Sequence, residues 1–123
     1  MELALTAAQA LDDKIAKDIR IFDVRGISFI TDYVVVASGT SAPHLKALVA
    51  EVQHQVKQLG VPARRSGLPE SGWVVVDCFG AVIHVFAPEA RAYYAIENLW
   101  KTAPAVPLPS PASAPAPRPV PAK

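Results

Sequence analysis

Apolar and polar residues follow their most regular pattern between residues 72 and 86, GWVVVDCFGAVIHVF. Two runs rich in β-branched residues, over 73–78 and 81–86, flank Phe79-Gly80 and predict a β-hairpin with a tight turn. Successive strand residues point to opposite faces, so placing Cys78 opposite Ala81 sorts the hairpin by parity. One face collects Val74, Val76, Cys78, Ala81, Ile83 and Val85, all aliphatic or thiol, and is expected to enter the core. The other collects Trp73, Val75, Asp77, Val82, His84 and Phe86. It mixes an indole, a carboxylate and an imidazole with apolar side chains. Such a face fits a docking surface, where aromatic anchors carry affinity and a few polar groups fix orientation. It also fits a face covered by a second helix layer, with Asp77 and His84 hydrogen-bonded inside.

Periodicity places the remaining elements around this hairpin. Thr6-Ala7-Ala8-Gln9 has the form of a capping box, and Ala8, Leu11 and Ile15 recur at helical spacing, which predicts a helix over 6–18. A short strand is expected over 20–24, a turn at Arg25-Gly26 and an extension of the hairpin over 27–30. DYVVVAS, residues 32–38, is β-branched throughout and reads as a central strand. Ser41 then serves as N-cap, with Pro43 tolerated in the first turn. Leu45, Leu48, Val49, Val52, Val56 and Leu59 form one apolar stripe that ends at Gly60. A strand over 61–66 and a GLPESG loop lead into the central hairpin. Pro88 opens a last helix with Ala92/Tyr93, Ile96 and Leu99/Trp100 as its stripe.

The order α-β-β-α-β-β-β-α predicts an α/β fold, a mixed β-sheet flanked by helices, with one right-handed βαβ crossover. Residues 1–102 make one domain on this reading. Eight of the twelve prolines lie between Pro104 and Pro121, so 103–123 is expected to be a disordered Pro/Ala-rich tail, partly polyproline-like.

Charge and composition narrow the partners. Residues 1–103 carry ten Lys/Arg against eleven Asp/Glu, and Arg64-Arg65 is the only adjacent basic pair. Recognition dominated by phosphates calls for a concentrated basic surface, so any RNA contact is expected to be secondary to a protein partner. No apolar run approaches the roughly 20 residues that span a bilayer. The start, MELALTAAQALDDK, lacks a basic region before its apolar stretch. The lone Cys78 falls on the core face and suits a reducing compartment. Together these point to the cytoplasm.

The chemistry tested does not add up to catalysis. There is no phosphate-binding Gly-x4-Gly-Lys-Ser/Thr loop. His44 and His54, on one helix, differ by about 80° in direction and about 15 Å along the axis, so they cannot share a metal ion, and no cofactor is implied. Ser38-Gly39-Thr40-Ser41 opens a helix as an anion site would. Asp23, Asp32 and Asp77 are scattered singly around it. A divergent nucleotidyltransferase using Asp32, Asp77 and this loop is the enzymatic alternative.

Taken together, the motifs resemble the ribosomal silencing factor (Iojap) family. The residues that carry the resemblance are Ile30-Thr31-Asp32-Tyr33; Ser38-Gly39-Thr40-Ser41 with His44; Trp73 through Asp77; His84-Val85; and Arg91, Tyr94, Glu97, Leu99 and Trp100. The resemblance implies a nucleotidyltransferase-like sheet without the active site. It implies binding to ribosomal protein fourteen of the large ribosomal subunit, a steric block to subunit joining, and lower translation when nutrients are short. A role in assembling the large subunit is an alternative, and a homodimer through the same face would compete. The partner-binding residues expected are Trp73, Val75, Asp77, Phe79 and His84, with Asp32, Tyr33, His44 and Tyr94 as secondary candidates. Where family members often carry a second acid at the hairpin turn, this chain has Asp77-Cys78-Phe79-Gly80, and Ser66-Gly67 stands where Glu-Gly is usual. Phe79 is expected to replace polar contact by apolar contact.

Overall fold

The computed structural model describes residues 2–28, 31–100 and 103–106. Its elements are α1 (Glu2–Asp13), β1 (Lys17–Asp23), β2 (Tyr33–Ser38), α2 (Ala42–Lys57), β3 (Arg64–Ser66), β4 (Trp73–Asp77), β5 (Ala81–Phe86), α3 (Pro88–Tyr94) and β6 (Ala105–Val106), with short 3-10 turns at Pro69–Ser71 and Ile96–Trp100. The sheet order is β3-β4-β5-β2-β1-β6. Only β2 and β5 run parallel, Tyr33 opposite Ala81 through Ser38 opposite Phe86, and the other neighbours are antiparallel. The sheet is therefore mixed.

The continuous apolar run of β2 is explained by cover on both sides, since all six of its residues are buried. Tyr33, Val35 and Ala37 face the cluster that α1 and α2 build, together with Val74, Val76, Cys78, Ala81, Ile83 and Val85. The hairpin face expected in the core is thus fully enclosed. Ser41 caps α2, its hydroxyl accepting from the His44 N–H at 3.2 Å, and Leu45, Leu48, Val49, Val52 and Val56 are buried. Leu59 lies beyond the helix end and is exposed.

Several boundaries depart from the pattern. Helix α1 starts at Glu2, so Thr6 is an interior residue, and it stops at Asp13. It ends in a Schellman turn: Ile15 N–H donates to Asp12 C=O at 2.9 Å and Ala16 N–H to Leu11 C=O at 3.0 Å. Ile15 holds the left-handed position, φ 65°, and is exposed. A β-branched residue is unexpected there, which is why the sequence pattern ran the helix on. The 27–30 extension does not form over its described part: Ile27 and Ser28 turn back on the Val24 carbonyl, and 29–30 lie outside the described residues. Of the strand expected over 61–66, only Arg64–Ser66 pairs. Val61 and Ala63 pack on the core instead, and Gln53 Nε2 on α2 donates to the Ala63 carbonyl.

The last helix departs most. It ends at Tyr94, with Ala95 left-handed at φ 46°, and Tyr93 and Leu99 of the expected stripe are 82% and 66% exposed. What anchors the segment is Arg91, 7% exposed. Its guanidinium makes two 2.9 Å bonds to the Glu97 carboxylate and donates at 2.8 Å to both Ser38 Oγ and the Asp18 carbonyl. Ile96, Trp100 and Ala103 then cover Phe22, Val24, Val34, Val36 and Phe86 on the second face of the sheet. The chain continues into β6, which pairs Val106 with Ile21, while Asp23 N–H donates to the Pro104 carbonyl. The fold therefore reaches past residue 102, into the stretch assigned to the tail. The rest of that tail, 107–123, lies outside the described residues.

Replacing Arg91 by Leu strips Glu97 and Ser38 of their donor and is expected to lower the unfolding free energy by about 3 kcal/mol in urea denaturation. The same pair sets an acid dependence. Hydrogen bonds from Arg91 hold the Glu97 carboxyl below its usual 4.5, so its contribution is complete above that pH and is lost as acid titrates it. The stability gap between wild type and Glu97→Gln is expected to be widest at neutral pH and to close as the pH falls below the usual carboxyl value of 4.5.

Candidate functional site

The C-terminal segment covers only part of the second face of the sheet. Over β1, β2 and the end of β5 that face is sealed. Over β4 and the start of β5, Val75, Val82 and His84 stay half-buried and Asp77 is exposed. The register places Val75 between Ser66 and His84, and Asp77 between Arg64 and Val82. Four of the residues expected to bind a partner therefore share one open face: Trp73, Val75, Asp77 and His84. Phe79 stands at the end of the hairpin that carries them.

Trp73 is wedged rather than free. Its ring stacks on buried Phe86 at 5.1 Å between centroids and lies 4.6 Å from Tyr94. Tyr94 in turn meets Tyr93 edge-on at 5.0 Å. An aromatic ladder thus runs from the core to solvent, ending on the most exposed aromatic among the described residues. The indole N–H of Trp73 donates to His84 Nδ1 at 3.2 Å. Burial pushes the His84 pKa down to about 4, so the ring is neutral at ordinary pH. Gly67 closes over this strand: at φ 93°, a Cβ there would sit 2.6 Å from the Trp73 carbonyl. Only glycine permits that approach.

The hairpin end carries the second feature. Cys78 N–H donates to the Ala81 carbonyl, and Asp77 Oδ1 accepts from the Phe79 N–H at 3.3 Å. Asp77 therefore caps the turn and remains exposed. Phe79 takes a left-handed φ of 60° and is 75% exposed. A bulky side chain held both strained and exposed points to use of that side chain.

The secondary candidates separate. Tyr94 joins the face through Trp73. Tyr33 is 4% exposed in the cluster under α1 and α2, with the Arg25 guanidinium 5.4 Å from its ring, so it lies on the wrong side of the sheet for docking. His44 Nδ1 accepts from Thr40 N–H at 2.9 Å and its Nε2 donates to the Lys14 carbonyl at 2.7 Å, a tie between the start of α2 and the end of α1. Asp32 is exposed at the hairpin end, its N–H on the Gly80 carbonyl. Tyr93 and Arg64 border the open face and were not among the expected residues. Once Arg91 points inward, Tyr94 three residues on shares its side and Tyr93 must turn outward, but the buried arginine is itself a tertiary fact.

The enzymatic alternative loses its geometry. Asp32 and Asp77 sit at the end of the sheet where β2 begins, whereas Ser38 and the loop after it lie at the opposite end of β2. Five residues of strand, about 17 Å, separate them. The loop also spends its Thr40 N–H on His44. Cys78 is fully buried and its thiol is pushed up to about 11 by burial, so it is no nucleophile. Among the described residues no group of three His, Cys, Asp or Glu side chains is placed to hold a metal, and no helix is long and apolar enough to cross a membrane.

Known proteins resemble this chain in sequence and in fold. A family model described as ribosomal silencing factor during starvation matches residues 1–122. The ribosomal silencing factor of Bacillus subtilis is 39% identical over 103 residues, 83% of this chain and 87% of that protein. The mouse protein named for mitochondrial assembly of the ribosomal large subunit is 36% identical over 89 residues, 69% of this chain and 39% of its own length. A crystal structure of a Chromobacterium violaceum protein superposes with a TM-score of 0.77 at 39% identity, covering 80% of this chain and 83% of that one. With a matching sequence along nearly its whole length and a matching fold, this chain belongs to the ribosomal silencing factor family.

Proposed function

We propose that this protein binds the large ribosomal subunit through ribosomal protein fourteen, using the open face of β4 and β5, and so blocks joining of the small subunit. Translation falls when nutrients are short because a surface is occupied, not because a bond is made or broken. The observation that carries this reading is the half-covered sheet face. Val75, Val82 and His84 stand on a rigid hairpin, with the Trp73–Tyr94–Tyr93 ladder along one side and Phe79 at the tip. Rigid aromatic anchors on an otherwise apolar patch are the make-up of an interface centre. We read the sheet as related to nucleotidyltransferases without their active site, which the separation of the acids from the loop after β2 supports. The cytoplasm is the compartment this function requires. RNA contact is secondary, through Arg64 and Arg65 at the exposed edge strand.

Assembly of the large subunit is the second reading, favoured by the name of the mouse relative. A homodimer would use the same face and compete with docking. The two functions separate on mature subunits: a silencing factor prevents purified large and small subunits from joining, whereas an assembly factor leaves joining intact and its loss causes precursors to accumulate.

Co-sedimentation of the protein with isolated large and small subunits is expected to give binding to large subunits alone. Trp73→Ala, checked for fold by circular dichroism, is expected to weaken it by about 30-fold, the effect of a 2 kcal/mol hot spot. Binding to neither subunit would overturn the reading. Phe79→Gly is expected to split stability from binding. Relief of the left-handed backbone raises unfolding stability by up to about 1 kcal/mol, while loss of the exposed ring weakens large-subunit binding by about tenfold. A variant that gains stability and binds undiminished would remove Phe79 from the interface.

A further inference from the structure

We propose that His84 Nε2–H is the one fixed hydrogen-bond donor at the centre of this face, held in that role by Trp73, and that the partner places a neutral carbonyl oxygen against it. The proposal rests on the docking reading above and states what that surface recognises.

The assignment follows from the donor inventory. An indole N–H can only donate, so the 3.2 Å contact from Trp73 Nε1 makes His84 Nδ1 an acceptor. A neutral imidazole with a lone pair on Nδ1 carries its proton on Nε2. Burial keeps the ring neutral. The ring orientation is set from two further sides: Phe86, two residues along β5, stacks nearly parallel at 6.2 Å and 10°, and Val75 is the cross-strand neighbour. His84 Nε2 has no partner among the described residues, and it is not one of the enclosed unpaired atoms of the molecule. A donor of fixed direction is therefore held on the face that Val75 and Val82 share with His84, where water is displaced when a partner docks. Leaving it unpaired there would oppose binding, so the partner must bring an acceptor.

The charge around the donor selects the acceptor. Asp77 is on the same face, opposite Val82 and so diagonal to His84, about 7 Å away by strand geometry. Its carboxylate disfavours a second carboxylate at this spot. A neutral imidazole attracts a carbonyl without needing a charge. The chemistry that fits is a main-chain or side-chain amide carbonyl, carried on a protein segment that brings apolar contact to Val75, Val82 and Tyr94. Trp73 acts through His84 here and is a positioning residue, while its ring edge still adds contact area.

Nitrogen-15 NMR of the imidazole in the free protein, together with large-subunit affinity of three variants, tests this. Wild type is expected to show the Nε2–H tautomer. His84→Leu is expected to bind about tenfold more weakly. His84→Gln, whose amide can accept from the indole and still donate outward, is expected to recover to within about twofold. Trp73→Phe keeps the ring stack without the N–H and is expected to give a mixture of tautomers and intermediate affinity, which a merely structural role for the indole would not produce. An Nδ1–H tautomer in wild type, or undiminished binding by His84→Leu, would overturn the proposal while leaving the docking reading in place. Failure of wild type to bind large subunits would end the docking reading and this inference with it, whatever the tautomer.

Discussion

Arg91 carries a full charge into the seam between the last helix and the sheet, and the position of everything after β5 depends on how that charge is satisfied. Four of its N–H donors are spent on the Glu97 carboxylate, the Ser38 hydroxyl and the Asp18 carbonyl. Those acceptors come from the end of β2, the irregular start of β1 and the turn after α3. A buried guanidinium with fewer partners would be strongly destabilising, so the three segments are tied to one geometry. The tie pulls Ile96 and Trp100 over Phe22, Val34, Val36 and Phe86. It also decides where cover stops. The face of β4 and β5 beyond that point stays open because the helix is short and Tyr93 turns outward.

The open face is itself built from internal constraints. The same indole closes one side of the core through Phe86 and fixes the imidazole on the other. Phe79 is held in an unfavourable backbone region at the exposed tip, with Asp77 accepting its N–H. At this tip local preference yields to tertiary placement, a kind of strain that recurs at sites whose geometry serves a partner. On a docking reading the protein needs nothing else: a rigid patch of the right shape, with a donor in a known direction. The acids and the loop that an enzyme of this architecture would bring together lie at opposite ends of a strand.

Much of the fold was legible in the pattern of residues. The parity of 73–86 separated the core face from the open face because a strand has only two sides and its period admits no drift. The all-apolar run of β2 announced a strand covered on both sides. Ser41, Pro43 and the stripe from Leu45 to Val56 determined α2 through local rules of capping and amphipathicity. These features depend on residues close in sequence, so the chain alone specified them. It specified the site to the same extent: Trp73, Val75, Asp77 and His84 share a face by parity, whatever the rest of the chain does.

What only the tertiary structure decided depends on contacts distant in sequence. Ile15 and Ala95 end their helices in a conformation that neither residue favours, imposed by packing and not announced by glycine. Arg91 is buried only because Asp18 and Ser38, 73 and 53 residues away, supply acceptors. That burial left Ile96 and Trp100 of the expected stripe on the sheet and turned Tyr93 and Leu99 out to solvent. The stretch at 105–106 became a strand because β1 offered it a free edge, although its composition reads as tail. Parity could say that Trp73 and His84 lie on one side, but not that the indole donates to Nδ1 or that the cover stops short of them. Sequence thus determined which side chains the surface contains, and long-range packing determined which of them remain open and in what state, because burial and hydrogen-bond partners are properties of the assembled fold.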